Sequence, residues 1–329
     1  MQIDSAFANR DLIVFEIFIQ ENFSEIELSS VVTTLQAANR VLTAPMFDWN
    51  IVSDTPGLLN GSCGTIARAK PTVFDHNLCE YLIIVGGDHC EPDGWLRRVR
   101  AMQRHSRPVA ILSDAATAYI RTTKTRDNPT ATHWRDVSIL YEEGHFPSLT
   151  TFFAEKSDGI ITSAGSGFTT ELTMNLIAKF MSRNEVAELA SLLLLEVVRE
   201  NDADQPKGVG CFSNMFEPSI EKAIRIMEEN IADPLSTLEI STQVGISRRQ
   251  LERRFKKIFQ KPPGRYYSQL RVKRARIMVT RSNLKMFEIA IATGFGSTTA
   301  FSKVYKKEYL VSPTMDRANW TCPSLVANT

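Results

Sequence analysis

Residues Ser236–Phe259 read STLEISTQVGISRRQLERRFKKIF, and this stretch decides the fold of the C-terminal part. Ser236 is placed to cap a helix whose apolar positions are Leu238, Ile240 and Val244. Gly245 permits a tight turn, because a left-handed backbone costs glycine nothing. Ile246 then packs inward and Ser247 caps the next helix, accepting a backbone N–H at its start. On that helix Leu251, Phe255, Ile258 and Phe259 form one apolar stripe. Arg248, Arg249, Gln250, Arg253, Arg254, Lys256 and Lys257 fill the other faces. A helix, a glycine turn and a second helix loaded with Arg and Gln is the helix-turn-helix pattern. Arg pairs bidentately with guanine and Gln with adenine, so these residue types suit the major groove. A merely solvated amphipathic helix has the same stripe, so the motif by itself is only moderately specific.

The pattern recurs in Leu284–Tyr309, LKMFEIAIATGFGSTTAFSKVYKKEY. Phe287, Ile289, Ala290 and Ile291 make a first helix, Gly294-Phe295 the turn, and Ser297 the next cap. Phe301, Val304 and Tyr305 form the inner stripe, leaving Thr298, Thr299, Ser302, Lys303, Lys306 and Lys307 outward. The two turn glycines lie 49 positions apart. Between the motifs, Gly264–Thr280 reads as one helix with Tyr266, Tyr267, Leu270, Ile277 and Met278 inward. Its length, about 25 Å at 1.5 Å per residue, suits a rigid spacer between two reading helices about one DNA turn, ~34 Å, apart.

Charge supports this reading. The chain of 329 residues has a formal net charge of +1 and is 43% hydrophobic and 23% charged. Residues 1–205 hold 17 Lys and Arg against 27 Asp and Glu, a net of −10. Residues 206–329 hold 21 against 10, a net of +11. An acidic body joined to a basic domain predicts that the latter meets a polyanion. The length predicts about two domains, and the apolar share excludes a wholly disordered chain. No apolar run approaches the ~18 residues of a membrane span. Met1–Asp11 lacks the basic start and apolar stretch of a signal peptide. The five cysteines, 63, 79, 90, 211 and 322, include no CxxC pair. That speaks against a disulfide framework or a zinc cluster and for a reduced, cytoplasmic setting.

Upstream, strands at Leu12–Ile19, Trp49–Ser53, Tyr81–Val85 and Pro108–Leu112 alternate with helical spacing at Leu28–Leu42 and Trp95–His105. Helical stretches at Thr169–Met181 and Glu185–Glu200 follow. The fold class expected is an α/β N-terminal domain, a parallel sheet with helices on both faces, followed by an all-α C-terminal domain with two helix-turn-helix motifs. The Asp-, Pro- and Gly-rich segment 201–216 is the expected linker. It separates a domain at 10–200 from one at 217–319.

Two resemblances sharpen these expectations. About residues 216–319 resemble the AraC/XylS family of bacterial transcription regulators, through Gly245–Phe255, Ala290–Phe295, Phe301–Lys307 and Ser312-Pro313. The family usually has a glycine where Leu310 stands and an aromatic or His where Ala300 stands. It usually closes on an aromatic-Arg pair, where this chain has Asp316-Arg317. About residues 10–200 resemble the class I glutamine amidotransferase-like superfamily, in its intracellular protease-like branch. The carriers are Phe23-Ser24, the helix ending Ala38-Asn39-Arg40, Leu82–Gly87, Thr132-His133-Trp134, Thr162–Gly165 and the helix with Glu171. Regulators joining two such domains include responders to amino acids or quaternary amines such as betaine and carnitine.

Enzymes of that superfamily carry a cysteine on a sharp strand-to-helix turn, where the helix start lowers its pKa and N–H groups hold an oxyanion. Here the corresponding position is Ser113, with Ala115 where the usual glycine stands. His133 is the nearest sequence candidate for a base, and no G-x-S-x-G elbow is present. The reading therefore assigns no catalytic residue. It makes the elbow a ligand pocket lined by Gly86, Gly87, Ser113, Asp114 and His133. Gly165-Ser166-Gly167 begins a dinucleotide fingerprint that fails at Thr170. Asp88-His89-Cys90-Glu91 reads as a polar loop, since adjacent residues do not converge on one metal. Trp49, Tyr81, Trp95, Tyr119 and Trp134 are candidates for an amine cage, with Glu25, Glu27 and Glu171 to balance its charge.

The expectation is a cytoplasmic transcription regulator, an activator, that binds double-stranded DNA and a small nitrogenous effector. It is expected to dimerise through the Leu189–Val198 run and engage RNA polymerase, with no cofactor, metal or membrane. Expected DNA contacts are Arg248, Arg249, Gln250, Arg253, Arg254, Ser297, Thr298, Thr299, Ser302, Lys303 and Lys306. The alternatives are a hydrolase with an appended DNA-binding module, and a DNA-binding protein whose N-terminal domain only dimerises.

Overall fold

The computed structural model describes residues 12–72, 78–88, 90–123, 128–144, 148–206 and 216–321. Met1–Asp11, His89, Cys211, Cys322 and most of the expected linker lie outside them. The chain divides into two compact units, Met1–Gln205 and Pro206–Thr329.

The first unit runs β1 (Ile13–Phe18), α1 (Glu25–Val41), β2 (Phe47–Ser53), β3 (Gly57–Asn60), β4 (Ile66–Pro71), β5 (Tyr81–Ile84), α2 (Leu96–Arg104), β6 (Val109–Leu112), α3 (Ser113–Thr123), α4 (Trp134–Glu142), β7 (Ala154–Ser157), β8 (Ile160–Ser163), α5 (Thr169–Ile177) and α6 (Arg183–Leu192). The strands order as β3-β4-β2-β1-β5-β6-β8-β7. The six central ones are parallel, while β3 and β7 close the two edges antiparallel. Strand period sorts the core. Phe15, Ile17, Tyr81, Ile83, Ala110 and Leu112 face one way, into a cluster with Leu28, Val31 and Leu172. Phe18, Leu82, Ile84, Val109 and Ile111 face the other, with Trp95, Val99 and Ala116. Strands covered on both faces read as continuous apolar runs. The exception is Glu16, which meets Arg98 of α2 bidentately at 3.1 and 2.6 Å. Both side chains are buried, so removing Arg98 strands the Glu16 charge at a cost of about 3–5 kcal/mol.

Two helical expectations change. Thr169–Met181 is α5 followed by a 3-10 turn at Ala178–Phe180. The stretch Glu185–Glu200 is helical only to Leu192. The chain then extends, with Leu194 at φ +57°. Leu193, Leu195 and Val198 pack on the core, while Leu192, Leu194 and Val197 are 51%, 89% and 69% exposed. The four consecutive leucines therefore never share one helix, and those left exposed are separated by ones that pack inward. Residues 201–205, expected in the linker, pair with 151–154 through Ala154 N–H to Asn201, Phe153 N–H to Ala203 and Gln205 N–H to Thr151.

The second unit contains α7 (Pro218–Glu229), α8 (Thr237–Val244), α9 (Arg248–Phe259), α10 (Pro263–Arg281), α11 (Met286–Ala292), α12 (Thr298–Tyr309) and α13 (Pro313–Thr321). Gly245 and Gly294 make their turns at φ +87° and +71°. From Ser247 to Pro263 and from Ser297 to Pro313 the two motifs repeat at a shift of 50 residues, against 49 for the turn glycines. The second turn is thus one residue longer. Leu238, Phe287 and Ile291, expected inward, are 61%, 61% and 55% exposed. At 100° per residue each lies about 200° from buried Ile240 or Ile289, on the opposite face of its helix. Ile258 is also exposed, at 38%.

Leu310 occupies the left-handed C-cap of α12 at φ +64° and is 83% exposed. That conformation costs an L-residue with a side chain roughly 1–2 kcal/mol, and glycine gives back part of the difference through its freer unfolded chain. Leu310→Gly is expected to stabilise the C-terminal unit by about 0.5–1 kcal/mol. Urea denaturation checks this, and an unchanged or lower midpoint contradicts it.

Candidate functional site

At the end of β6 the chain turns directly into α3, and Ser113 takes the corner at φ +36°. Its side chain is hydrogen-bonded with the Glu27 carboxyl of α1. Gly86 N–H donates to Glu27 Oε2 at 2.8 Å and Ser166 N–H to Oε1 at 2.8 Å. One carboxyl thus ties α1, the turn after β5, the elbow and the turn after β8. Glu27 is fully buried and Ser113 is 5% exposed. Burial raises the Glu27 pKa, outweighing the hydrogen bonds from Ser166, Ser113 and Gly86 that oppose it. A Cβ on Gly86 would stand 2.0 Å from Ser113 Oγ, and one on Gly165 2.1 Å from Glu27 Oε1. The elbow is a closed knot, and its hydroxyl is not presented to solvent.

Sequence reasoning named Glu27 only as a charge to balance a cation. Its pairing with Ser113 spans 86 positions and leaves no local signal. Of its companions, Glu25 accepts from Cys63 N–H at 2.5 Å and Ser62 Oγ at 2.9 Å. Despite the upward push of partial burial, these bonds hold Glu25 at about 2. Glu171 is paired with Arg199 at 2.5 Å. The aromatic cage does not assemble. Tyr81 stacks on Phe15 at 4.6 Å in one core layer and Trp49 packs against that layer. Trp95 and Tyr119 lie in the other layer, across the sheet.

The other pocket residues lie around the knot. Gly87 backs onto Asn22. Asp114 lies 3.4 Å from Arg135, which also meets Asp136 at 3.3 Å. His133 caps α4, its Nδ1 accepting from Arg135 N–H at 3.1 Å. Thr132 Oγ1 donates to the Ser113 carbonyl at 3.2 Å. Gln205 Nε2 donates to the Thr132 carbonyl at 2.8 Å, and its Oε1 accepts Trp134 N–H at 2.7 Å. The last residue of the α/β unit is thereby two hydrogen bonds, through Thr132, from the elbow corner. Among the described residues, no group of three or more His, Cys, Asp or Glu is placed to hold a metal, and no helix is long and apolar enough to cross a membrane.

In the second unit α9 and α12 each present a polar outer face. Ser247 and Gln250 form a capping box, Gln250 Oε1 accepting Ser247 N–H at 2.8 Å. Arg248 pairs with Glu252 at 2.9 Å along the helix. Arg254 is drawn to α7, meeting Glu217 at 2.6 Å and the Ser219 hydroxyl. Arg249 and Arg253 are exposed one turn apart and make no ion pair among the described residues. On α12, Ser297 spends its hydroxyl on the cap, accepting Ala300 N–H at 3.1 Å. Thr298 and Ser302 are half-buried, and Thr299, Lys303 and Lys306 are exposed. Arg271 of α10 braces the second turn, donating to the Thr293 carbonyl at 2.8 Å and lying 4.3 Å over the Phe295 ring.

The C-terminal unit is a helix-turn-helix domain, carried by two repeated motifs on either side of α10, and in the chain it follows an α/β unit built on a mostly parallel sheet. Residues 240–319 match the family described as "Helix-turn-helix domain". The chain is 24% identical over 300 residues to the HTH-type transcriptional regulator GbdR of Pseudomonas aeruginosa, covering 90% of this chain and 82% of that protein. It is 26% identical over 310 residues to the HTH-type transcriptional regulator CdhR of the same species, covering 92% and 91%. Among solved structures, an AraC family transcriptional regulator from Pseudomonas putida is 16% identical, with a TM-score of 0.47 and coverage of 55% of this chain and 98% of that one.

Proposed function

We propose that this chain is a sequence-specific, DNA-binding transcription regulator whose α/β unit senses a small nitrogenous metabolite, such as an amino acid or quaternary amine. The observation that carries it is the repeated motif: two exposed, cation-bearing helices in a unit of net charge +11. The similarity to HTH-type regulators along nine-tenths of the chain supports it. The domains proposed are 10–200 and 217–319; of the segment 201–216 expected to join them, 201–205 pair with the first domain.

The contacts sort by what each side chain is already doing. Arg249 and Arg253 are free to pair with base edges. Arg248, Gln250 and Arg254 are held in a helix pair, a cap and a tie to α7. Thr298, Thr299 and Ser302 discriminate bases weakly, and Lys303 and Lys306 meet phosphates. Arg253→Ala is expected to cost about 1–3 kcal/mol at the selected site and to relax base preference there. Lys306→Ala is expected to weaken binding to every sequence and flatten the salt slope by about one. Binding-site selection with each variant checks this. A tighter base preference under α12 than under α9 contradicts the division.

For the sensor, Asp114 and Arg135 supply partly exposed charges beside the elbow, and Thr132 joins the elbow corner to Gln205 at the end of the α/β unit. The effector is tested by melting the full chain with glycine betaine, carnitine and single amino acids; no shift with any of them contradicts this class. A hydrolase is disfavoured because the Ser113 hydroxyl is bonded with Glu27 and closed in. The proposal includes a homodimer through the α/β unit, supported by exposed Leu192, Leu194 and Val197. A monomer in light scattering at high concentration contradicts it. RNA polymerase is the partner an activator requires.

A further inference from the structure

We infer that Asp316 is a positioning residue for the second reading helix, its carboxylate setting the rotation of α12 and thereby its engagement of DNA. The inference rests on the DNA-binding reading above.

Three helices meet at this carboxylate. Tyr305, at the centre of the inner face of α12 and fully buried, donates its hydroxyl to Asp316 Oδ2 at 2.6 Å. Arg276 of α10 donates Nε to the same oxygen at 2.9 Å. The Arg276 guanidinium lies 4.4 Å over the Tyr309 ring, which is 4.9 Å from Tyr305. The next residue, Arg317, donates Nε to the Val279 carbonyl at 2.9 Å and holds α13 to α10. Asp316 is itself only 7% exposed.

The first repeat seats its reading helix without a carboxylate. Fifty positions earlier, Tyr305, Tyr309 and Asp316 correspond to Phe255, Phe259 and Tyr266. Those three rings pack together, with centroids 5.3, 5.4 and 4.5 Å apart. The aromatic that closes the first seat is replaced by an acid in the second, and the ring that faces it has gained a hydroxyl. Ring packing tolerates small rotations, whereas a hydrogen bond weakens steeply off its axis and a charge-assisted one is about twice as strong as a neutral one. Tyr305 and Ser302 are three residues apart on α12, so rotation at the seat moves the outer face with it. Recognition geometry survives only within about 10–20°.

The test uses the full chain and a duplex that the wild type selects from a random-sequence library. Hydroxyl-radical footprinting should show two protected segments, with Arg253→Ala marking the one under α9. Tyr305→Phe, which removes one oxygen and keeps the ring, and Asp316→Asn should each lose the α12 segment, keep the α9 segment and bind at least about tenfold more weakly. Tyr305→Phe/Asp316→Tyr, which installs the first repeat's pairing, should regain the second segment. Single variants that keep both segments, even with a lowered melting temperature, overturn the inference. So do singles that lose both together, or a double variant as weak as the singles. A wild type that selects no sequence overturns the DNA-binding reading itself and this inference with it.

Discussion

Gly86→Ala should destabilise the α/β unit by about 3 kcal/mol, near the top of the range for forced overpacking. For a unit of this size that is roughly 10 °C of melting temperature. The added methyl would stand 2.0 Å from Ser113 Oγ and 3.1 Å from the Leu112 carbonyl. Neither neighbour can retreat, because Ser113 is at a corner with φ +36° and is bonded to buried Glu27. Ser113→Ala removes the nearest atom, so the double variant should recover part of the loss. The two substitutions touch one another and should not be additive. A melting temperature within 2 °C of wild type for Gly86→Ala would sink this account of the elbow. The same knot has a pH signature. Burial raises the folded-state pKa of Glu27, so the protonated acid is the form the fold favours. The stability it supplies is full below the unfolded carboxyl range and is lost as pH rises through the raised folded value. Glu27→Gln should flatten the fall of melting temperature over that window, and an unchanged profile would count against it.

Affinity for the selected duplex should fall by about a thousandfold as salt rises from about 50 to 200 mM. Each phosphate neutralised contributes about −0.9 to the slope of log K against log salt, and about six contacts give that fall. The cations are at hand: Lys256, Lys257, Lys303, Lys306 and Lys307 are all exposed on the two reading helices. The α/β unit, at net −10, should add nothing and repel the duplex. Titration of full chain and of residues 1–205 across the salt range checks both points. Affinity flat in salt, or equal binding by the N-terminal fragment, would remove the DNA reading.

The C-terminal unit was legible because its signals are local. A cap, a turn glycine and an apolar stripe lie within a dozen residues of one another, and the repeat of Ser247–Pro263 at Ser297–Pro313 states them twice. The strands of the α/β unit were legible as apolar runs for the same reason. Sequence alone therefore determined two units, their classes and which helices carry the cations. It did not determine which of those cations are free. Arg248, Arg249, Arg253 and Arg254 are one residue type on one helix, and only the approach of Glu217 and Ser219 from α7 separates Arg254 from Arg253. Nor did it reveal Glu27 against Ser113 or Asp316 against Arg276, which chain separations of 86 and 40 residues hide from any local pattern, or Asp316 against Tyr305, which meet only because α13 folds back onto α12. The run Leu192–Leu195 shows the limit most plainly. Its composition favours a helix, yet the chain leaves the helix at Leu192 and alternates those leucines between core and surface. Periodicity reports what a segment can form by itself. Which side chains are buried, paired or free is set by the elements that fold against it, and that only the tertiary structure decided.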